Sequence, residues 1–420
     1  MSSNRPMFSI VLPTRNRPDL ADASLVRALQ QTWPDFEIIV LENSDQPSLG
    51  SWAQRDARVR VVSAPHTLSM PDNWERGLDL ARGEYVLYLA DKDWLVPHAL
   101  DELATLVAAR SRPAMVNIRK ASWVQGEGLR MQTGTGRVAT LPSAPVLNRW
   151  FSGVIHIHNA PMIYNSIVRR DLIEAVRRRC GGRFFLGCSP DVASSLLLLA
   201  NMPDYVLLDR IHMMSHMGPW SIGVATLRQG RWGAARRFAA EFATDPIAAA
   251  GLVWCLSGGI AETLMACQHA DPERFAPYRI NWSRYLERAR AELARRAKFG
   301  QDTSCDAALL RAGIGRLYSR TAWLRASLAM SLRECLRWLR DRTPMKALFP
   351  LYAGWLMSGR LSLTPPDWAV TFLDWETWQP AIAVPTPEEA FALILEGQAR
   401  HVPGWCLGLN SVAAVSDRRT

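Results

Sequence analysis

The first 110 residues alternate short apolar strands with helices, and this alternation restricts the fold more than any other feature of the chain. Residues 8–12, 36–41 and 85–90 are apolar runs of strand length, and residues 59–62 form a shorter one. The segments between them have helical spacing or helix-starting prolines. Strands that alternate with helices predict an α/β fold with a mostly parallel sheet covered on both faces, whose ligands bind beyond the carboxyl ends of the strands.

The rest of the chain predicts a second, different region. Residues 191–200 read as a helix and residues 205–214 as a strand, and from about residue 225 the sequence becomes helical and rich in Arg and Trp. We therefore predict two domains, residues 1–222 with the sheet and residues 223–420 as a mainly α-helical C-terminal domain. That second domain would serve membrane binding, acceptor binding or self-association.

Composition and cysteine usage favour a globular protein of a reducing compartment. The apolar fraction is 48% and the charged fraction 21%, which are ordinary values. Seven scattered cysteines without a CxxC spacing predict neither a disulfide framework nor a zinc finger. The first residues lack the layout of a secretory signal. The uncharged segment 246–261 is shorter than a membrane span and predicts a buried helix. These features predict a cytoplasmic protein.

The positive charge is concentrated in the predicted helical region. The chain has a net charge of +10, and residues 284–346, with fifteen basic and six acidic residues, have a net charge of +9. This excess predicts contact with an anionic partner, such as the inner face of the plasma membrane or an acidic glycan, and a solvated helix face is the alternative. Nucleic acid is disfavoured because no recognition motif accompanies the charge. Self-association through these helices remains an equal alternative to membrane contact.

Two aspartates end the most apolar of the predicted strands. In the stretch YVLYLADKDWLVP, Asp91 and Asp93 are two residues apart, so an extended backbone would direct both carboxylates to one spot and Lys92 elsewhere. Carboxylate oxygens suit Mg²⁺ or Mn²⁺, which commonly lie between carboxylates and substrate phosphates. The alternative is a solvated turn in which Asp93 caps the following helix. Buried carboxylates are costly unless cations meet them.

The order of motifs resembles that of the family 2 glycosyltransferases. The opening FSIVLPTRNRPDLADASLVRALQQTWPDFEIIVLENSD is similar to the start of that family, and SMPDNWERGLDLARGEYVLYLADKDWLVPHALDEL is similar to its next block. The resemblance is close over residues 7–110 and thinner to about residue 220. It implies a GT-A type fold, a nucleotide-diphosphate-sugar donor (a UDP-sugar above all), a Mn²⁺ or Mg²⁺ ion, and inversion at the anomeric carbon. The implied acceptor is a hydroxyl of a glycan, lipid-linked or protein-linked molecule, as in bacterial surface polysaccharide synthesis.

Several site residues follow from the resemblance by position. Two departures from the family pattern matter: Glu42 replaces an aspartate, which must shift the base contact, and Lys92 replaces a usual acid, which would either help bind a diphosphate or weaken metal binding. The positions carried over are Pro13, Thr14 and Arg17 in the donor loop, Glu42 at the base, Asn73 on the next helix, Asp91 near the ribose and Asp93 as metal ligand.

The resemblance also implies a catalytic base and further ligands beyond residue 180. Asp191, at the start of a predicted helix, matches the family's base, and the alternative is that it only complements the helix dipole. His212 matches a metal ligand, with His216 as its rival, and Arg210 would meet the diphosphate. Further candidates for metal or acceptor contact are His156 and His158, and candidates for sugar stacking are Trp94 and Trp220.

Two other functions compete with glycosyl transfer. A non-catalytic scaffold that binds glycans or nucleotide-sugars would follow if the lysine in Asp91–Lys92–Asp93 abolished metal binding. A sugar nucleotidyltransferase would share a similar sheet, but it would carry a glycine-rich loop after the first strand, and residues 13–17 are PTRNR. The absence of GxGxxG after the first strand and of a P-loop motif also argues against dinucleotide and P-loop proteins.

Overall fold

A computed structural model of the protein describes residues 5–131, 136–154, 160–221, 238, 240–298, 300–342 and 381–399. The strands are β1 (Phe8–Thr14), β2 (Phe36–Glu42), β3 (Val59–Ser63), β4 (Tyr85–Tyr88), β5 (Asp93–Leu95), β6 (Met115–Val124), β7 (Gly128–Arg130), β8 (Val138–Pro142), β9 (Ser166–Arg169) and β10 (Asp204–Met217). The helices are α1 (Pro18–Leu29), α2 (Trp52–Arg55), α3 (Met70–Leu80), α4 (Ala99–Ala109), α5 (Ser143–Ser152), α6 (Arg170–Arg179), α7 (Pro190–Ala200), α8 (Pro246–Ala249), α9 (Leu256–Ala270), α10 (Pro272–Phe275), α11 (Trp282–Lys298), α12 (Ser304–Ala312), α13 (Arg320–Arg342) and α14 (Pro387–Ala399).

The strands form one sheet in the order β3-β2-β1-β4-β9-β6-β10-β5, with β7 beside β6 and β8 beside β10. Strands β1 to β4 pair in parallel, as do β6 and β10, whereas β9 and β5 run antiparallel to their neighbours. Every residue of β1, β2 and β4 is buried, because helices cover both faces of the sheet. The predicted α/β fold, a mostly parallel sheet followed by a helical region, is confirmed, and its assignment to the GT-A type remains a prediction.

Two apolar clusters, one on each face, hold the sheet between its helices. On one face, Leu25 of α1 and Leu100 of α4 pack with β1 and β4 residues, and all are fully buried. On the other face, Leu196 of α7 and Phe185 pack with Tyr88 of β4. The aromatic rings of Phe185 and Tyr88 meet edge to face, with their centroids 5.1 Å apart. Packing against the helices on both faces therefore holds the sheet in place, and with it the ends of its strands.

The predicted end of the strand at residues 85–90 is wrong. The apolar run expected at residues 85–90 leaves the strand conformation after Tyr88, and Asp93–Leu95 forms the separate strand β5. Because β5 pairs with β10 at the far end of the sheet order, Asp91 and Asp93 do not belong to one extended segment. The expectation that both carboxylates face one spot by simple alternation is therefore wrong. The chain turns between them instead.

Helices α9 and α11 to α13 form the helical region after the sheet. A third cluster that includes Leu252, Leu286 and Leu310 joins this region, and α9 packs against α7. The segment 246–261 contains the short helix α8 and the start of α9, so the expected single helix is broken. In the parts of the chain that the structure describes, no helix is both long and apolar enough to cross a membrane.

Helix α14, the last helix that the structure describes, packs against the sheet. Phe391 of α14 packs edge to face on Trp94, and the indole of Trp123 donates a hydrogen bond to the Val384 carbonyl at 2.9 Å. The boundary predicted near residue 222 lies outside the described residues. The division into residues 1–222 and 223–420 remains a prediction, to which the structure adds that residues 381–399 pack with the first unit.

Candidate active site

The loop after β1 contacts the first aspartate of the turn that follows β4. The Thr14 hydroxyl donates to Asp91 Oδ2 at 2.9 Å, and Arg17 Nε lies 2.9 Å from the same oxygen. Asp91 is 1% exposed, and this burial raises its pKa, although the Arg17 charge and the Thr14 hydrogen bond oppose the shift. Parallel β1 and β4 end at the same edge, which explains why residues 77 positions apart meet.

The second aspartate has a different set of partners. Asp93 is fully buried; its Oδ1 accepts a hydrogen bond from the Ser215 hydroxyl at 2.6 Å, and its Oδ2 lies 2.5 Å from Lys120 Nζ. Ser215 is directly opposite Asp93 in the β5–β10 pair, and Lys120 reaches over from β6 on the other side of β10. The same ammonium lies 4.5 Å from the centre of the Tyr164 ring.

Lys92 also enters this cluster, contrary to the expectation that it points elsewhere. Its Nζ contacts the Ser221 hydroxyl at 3.3 Å and Met217 Sδ at 3.0 Å. Burial lowers the pKa of Lys92 to about 8, although the charges of Asp93 and Asp91 oppose the shift. We call residues 91–93 the DKD turn. The positive charge of Lys92 in this turn therefore interacts with the negative charges of Asp91 and Asp93.

Asp191 lies in the first turn of α7, which begins at Pro190 as predicted. Its Oδ1 accepts a hydrogen bond from its neighbour's backbone N–H at 2.9 Å, so the positive end of the helix stabilises its charge. Burial nevertheless raises the pKa of Asp191, against the charges of Lys120 and Lys92. Burial raises the pKa of Tyr164, and the negative charges of Asp191 and Asp93 raise it further. Asp191 therefore lies close enough to Lys92, Lys120 and Tyr164 for their charges to interact.

Glu42 and Asn73, two further residues of the predicted nucleotide site, contact other parts of the chain. Glu42 is 1% exposed, and its Oε1 accepts backbone hydrogen bonds from Ser48 at 2.7 Å and Leu49 at 3.2 Å. Asn73 is 3% exposed on α3 and accepts a hydrogen bond from Arg76. Pro13 lies within β1, one residue before the Thr14 that binds Asp91. Glu42 thus shapes the loop after β2, and its predicted contact with the base remains a prediction.

The predicted roles of His212 and Arg210 need correction. The two His212 ring nitrogens contact the Arg210 carbonyl at 2.9 Å and Glu102 Oε2 at 3.0 Å, so neither is directed at Asp93. Arg210 pairs with Glu102 Oε1 at 2.8 Å. At about 3.3 Å for each strand residue, Arg210 lies about 17 Å along β10 from Ser215. Both side chains therefore connect β10 to Glu102 of α4, away from the DKD turn.

Three further candidates, His216, Trp94 and Trp220, contact other residues of the chain. His216 lies among tryptophans, with ring centroids 4.9 Å from both Trp123 and Trp220. Trp94 is 4% exposed and packs on α14, so it cannot stack on a sugar without moving. The Trp220 carbonyl lies 3.4 Å from Arg17 Nη1, which places that residue beside the donor loop. His156 and His158 lie outside the described residues.

The residues around the DKD turn do not fit a divalent cation. Asp93 has a partner on each oxygen, and Asp91 Oδ2 already has two. Among the residues that the structure describes, no group of three or more His, Cys, Asp or Glu side chains is placed to hold a metal ion. Two ammonium groups occupy the space beside the carboxylates, and they would repel a dication. We therefore derive no step of the reaction through a metal.

Sequence reasoning missed Lys120 and Tyr164, which lie near Asp93, and it assigned no role to Ser215. No motif predicts the first two, because Lys120 lies on β6 and Tyr164 just before β9, two segments that only sheet pairing brings together. One signal was available for Lys120, since the chain contains only four lysines among its 49 Lys and Arg residues. A rare lysine in the middle of a mostly buried strand is a candidate for a specific contact.

The chain is similar to known proteins over part of its length. Residues 9–174 match the family described as glycosyl transferase family 2. The chain is 30% identical over 123 residues to the O-antigen biosynthesis protein RfbC of Myxococcus xanthus, which is 27% of this chain and 9% of that protein. It is 32% identical over 103 residues to GalNAc(5)-diNAcBac-PP-undecaprenol beta-1,3-glucosyltransferase of Campylobacter jejuni, which is 23% of this chain and 33% of that protein. The chain thus spans well under two thirds of these curated relatives.

Among solved structures, the chain is similar to S. aureus TarS. The superposition has a TM-score of 0.43 at 17% sequence identity, and it covers 69% of this chain and 54% of TarS.

Proposed function

We propose that this protein is an inverting glycosyltransferase that moves a sugar from a nucleotide-diphosphate-sugar to an acceptor hydroxyl, because residues 9–174 match the glycosyl transferase family 2. The observation that supports this most directly is the convergence of Asp191 with the DKD turn, since they come from distant parts of the chain. A carboxylate at the start of a helix, within electrostatic reach of Lys120 and Lys92, suits such a reaction.

In this proposal Asp191 is the catalytic base. The acceptor oxygen attacks the anomeric carbon and forms the new bond, while the bond from that carbon to the diphosphate oxygen breaks and its electron pair stays on the diphosphate. Asp191 takes the acceptor proton. Its raised pKa, which burial causes, makes it a better proton acceptor than an exposed aspartate.

Thr14, Arg17 and Asp91 form the donor side of the proposed site. The Arg17 guanidinium is 29% exposed, so one face remains open to a diphosphate while the other pairs with Asp91. We propose a UDP-sugar as donor and a glycan or lipid-linked acceptor, consistent with the glucosyltransferase and O-antigen relatives. The Mn²⁺ or Mg²⁺ predicted from sequence is not part of this proposal, because the contacts of Asp93 do not fit it.

A donor panel tests the proposal. Purified protein is incubated with UDP-, GDP- and dTDP-sugars, and release of the nucleoside diphosphate is measured with and without lipid-linked glycan acceptors. Asp191→Asn should lower turnover by about 10²- to 10⁴-fold while nucleotide binding is retained. The matched control is Asp171→Asn, which changes a 65% exposed aspartate in the first turn of α6. Binding without any turnover would instead favour the non-catalytic scaffold, and equal turnover by Asp191→Asn would reject the base.

We further propose that α13 places the enzyme on the inner face of the plasma membrane. Leu324, Leu328 and Leu332 recur every four residues along α13 and are 60%, 71% and 51% exposed. The helix belongs to the segment of net charge +9, and basic helices with an exposed apolar stripe bind anionic lipid surfaces.

Liposome sedimentation tests this placement. Binding should increase with the fraction of anionic lipid, weaken with salt, and fall when the three leucines are changed to serine. If the serine variant instead changes from a dimer to a monomer and lipid has no effect, the stripe is a self-association surface.

A further inference from the structure

Two of the four lysines in the chain lie beside the same two carboxylates. The lysines are Lys92, Lys120, Lys298 and Lys346, and the other 45 of the 49 basic residues are arginine. An ammonium group is a compact point charge, whereas a guanidinium spreads its charge over a planar fork. Of the side chains available, lysine therefore provides the positive charge most similar to that of a metal ion.

The geometry places both ammonium groups at the DKD turn. Lys120 Nζ lies 2.5 Å from Asp93 Oδ2, and its side chain is 14% exposed, so it is held in place but not sealed from the cleft. Lys92 Nζ is held by the Ser221 hydroxyl at 3.3 Å, and its charge interacts with those of Asp91, Asp93 and Lys120. Lys120 thus contacts the carboxylate that was predicted to bind a divalent ion, and Lys92 lies close enough to add its charge.

The charge balance of the rim favours an anion. On the donor side of the site, which does not include the proposed base Asp191, the cations Arg17, Lys92 and Lys120 outnumber Asp91 and Asp93 by one when all five are charged. A diphosphate brings at least two further negative charges, so the rim attracts it and repels a dication. The opposite balance, with carboxylates in excess, would be needed to hold Mn²⁺ or Mg²⁺.

We propose that Lys92 and Lys120 replace the divalent cation, so that this protein binds its donor diphosphate and transfers the sugar without a metal. The inference rests on the proposed function. When the bond from the anomeric carbon to the diphosphate oxygen breaks, the electron pair remains on the diphosphate, and the two ammonium groups neutralise it. The acceptor proton goes to Asp191, so neither lysine needs to lose or gain a proton.

Calorimetry on the full chain tests this inference. UDP, GDP, CDP, ADP and dTDP are titrated into the protein in EDTA and again in MnCl₂, with uridine and the matching nucleosides as probes that lack phosphate. At least one nucleoside diphosphate should bind, with affinities that differ by less than about threefold between the two conditions. Lys120→Ala should lower that affinity by about 10- to 100-fold and leave the nucleoside unchanged, because charge-assisted hydrogen bonds are lost.

Matched variants distinguish the loss of the Lys120 charge from a general loss of structure. Lys120→Arg should retain more affinity than Lys120→Ala, and Lys298→Ala, which changes an exposed lysine on α11, should have no effect. Lys120→Ala also frees Asp93 Oδ2, so added Mn²⁺ should restore diphosphate binding in this variant and not in the wild type. If Lys120→Ala does not fold, Lys92→Ala and the wild-type comparison in EDTA provide the test.

The outcomes distinguish the two proposals. Binding by the wild type that requires Mn²⁺ and disappears in EDTA would overturn this inference and leave the proposed function intact. If no nucleoside diphosphate binds in either condition, the proposed function fails and this inference with it. Retained affinity in both Lys92→Ala and Lys120→Ala would show that the lysines do not bind the diphosphate.

Discussion

Glu102 should contribute stability and not metal binding, which Glu102→Gln can test. The carboxylate joins α4 to β10 through Arg210 at 2.8 Å and His212 at 3.0 Å. Burial works to raise the pKa of Glu102, but the hydrogen bonds and charges of His212 and Arg210 outweigh it and lower the pKa to about 2. The ionised carboxylate is therefore much more stable in the folded protein than in the unfolded chain.

The magnitude follows from this shift. Lowering a pKa from 4.5 to about 2 corresponds to roughly 3 kcal/mol at about 1.36 kcal/mol for each pH unit. Since the Glu102 side chain is 26% exposed, solvent screening reduces the expected loss to about 2 kcal/mol at pH 7. A group whose folded pKa is depressed contributes stability above its unfolded pKa and loses it as the pH falls through the folded pKa. The contribution should therefore fade between about pH 5 and pH 2.

Urea unfolding of wild type and Glu102→Gln at pH 7 and at about pH 3 measures the effect. The difference in unfolding free energy should be about 2 kcal/mol at pH 7 and less than half of that at the lower pH. Glu127→Gln, which alters an exposed ion pair with Arg130, is the control and should change little. Equal stability at pH 7, or a difference that does not depend on pH, would refute the reasoning. A loss that appears only when Mn²⁺ is present would restore the metal role of His212.

Three other predictions concern the core and the site. Gly77→Ala should cost about 1–3 kcal/mol, because a Cβ would lie 2.5 and 2.6 Å from side-chain atoms of β1 and β4, whereas Gly50→Ala, with nothing within 4 Å, should be neutral; thermal unfolding compares them. Asp209→Asn should cost about 3–5 kcal/mol by removing the negative charge that faces the buried Arg119 guanidinium, and a urea-measured loss below about 1 kcal/mol would contradict this. Because burial raises the pKa of Asp191, kcat/KM should fall on the acid side at a pH above the usual 3.8 of aspartate; a pH–rate profile that stays flat down to pH 4 would exclude it as the base.

The sequence by itself determined the sheet and the edge at which the polar residues gather. Strands β1, β2 and β3 lie within two residues of their predicted bounds, because apolar runs of strand length between helices have few alternatives in a buried parallel sheet. Thr14, Arg17 and Asp91 meet at this edge, since parallel strands bring their carboxyl ends together. Local pattern was sufficient wherever the outcome depended on burial alone.

Only the tertiary structure decided which side chains face Asp93. The chain turns after β4 and continues as β5 at the other end of the sheet order, beside β10, so Ser215 and Lys120 become its partners. The pairing of β10 with β6 shifts register between residues 208 and 213, and His212 contacts Glu102 instead of the DKD turn. Strand register and side-chain direction depend on pairing between segments that are about a hundred residues apart. No local pattern in the sequence records them.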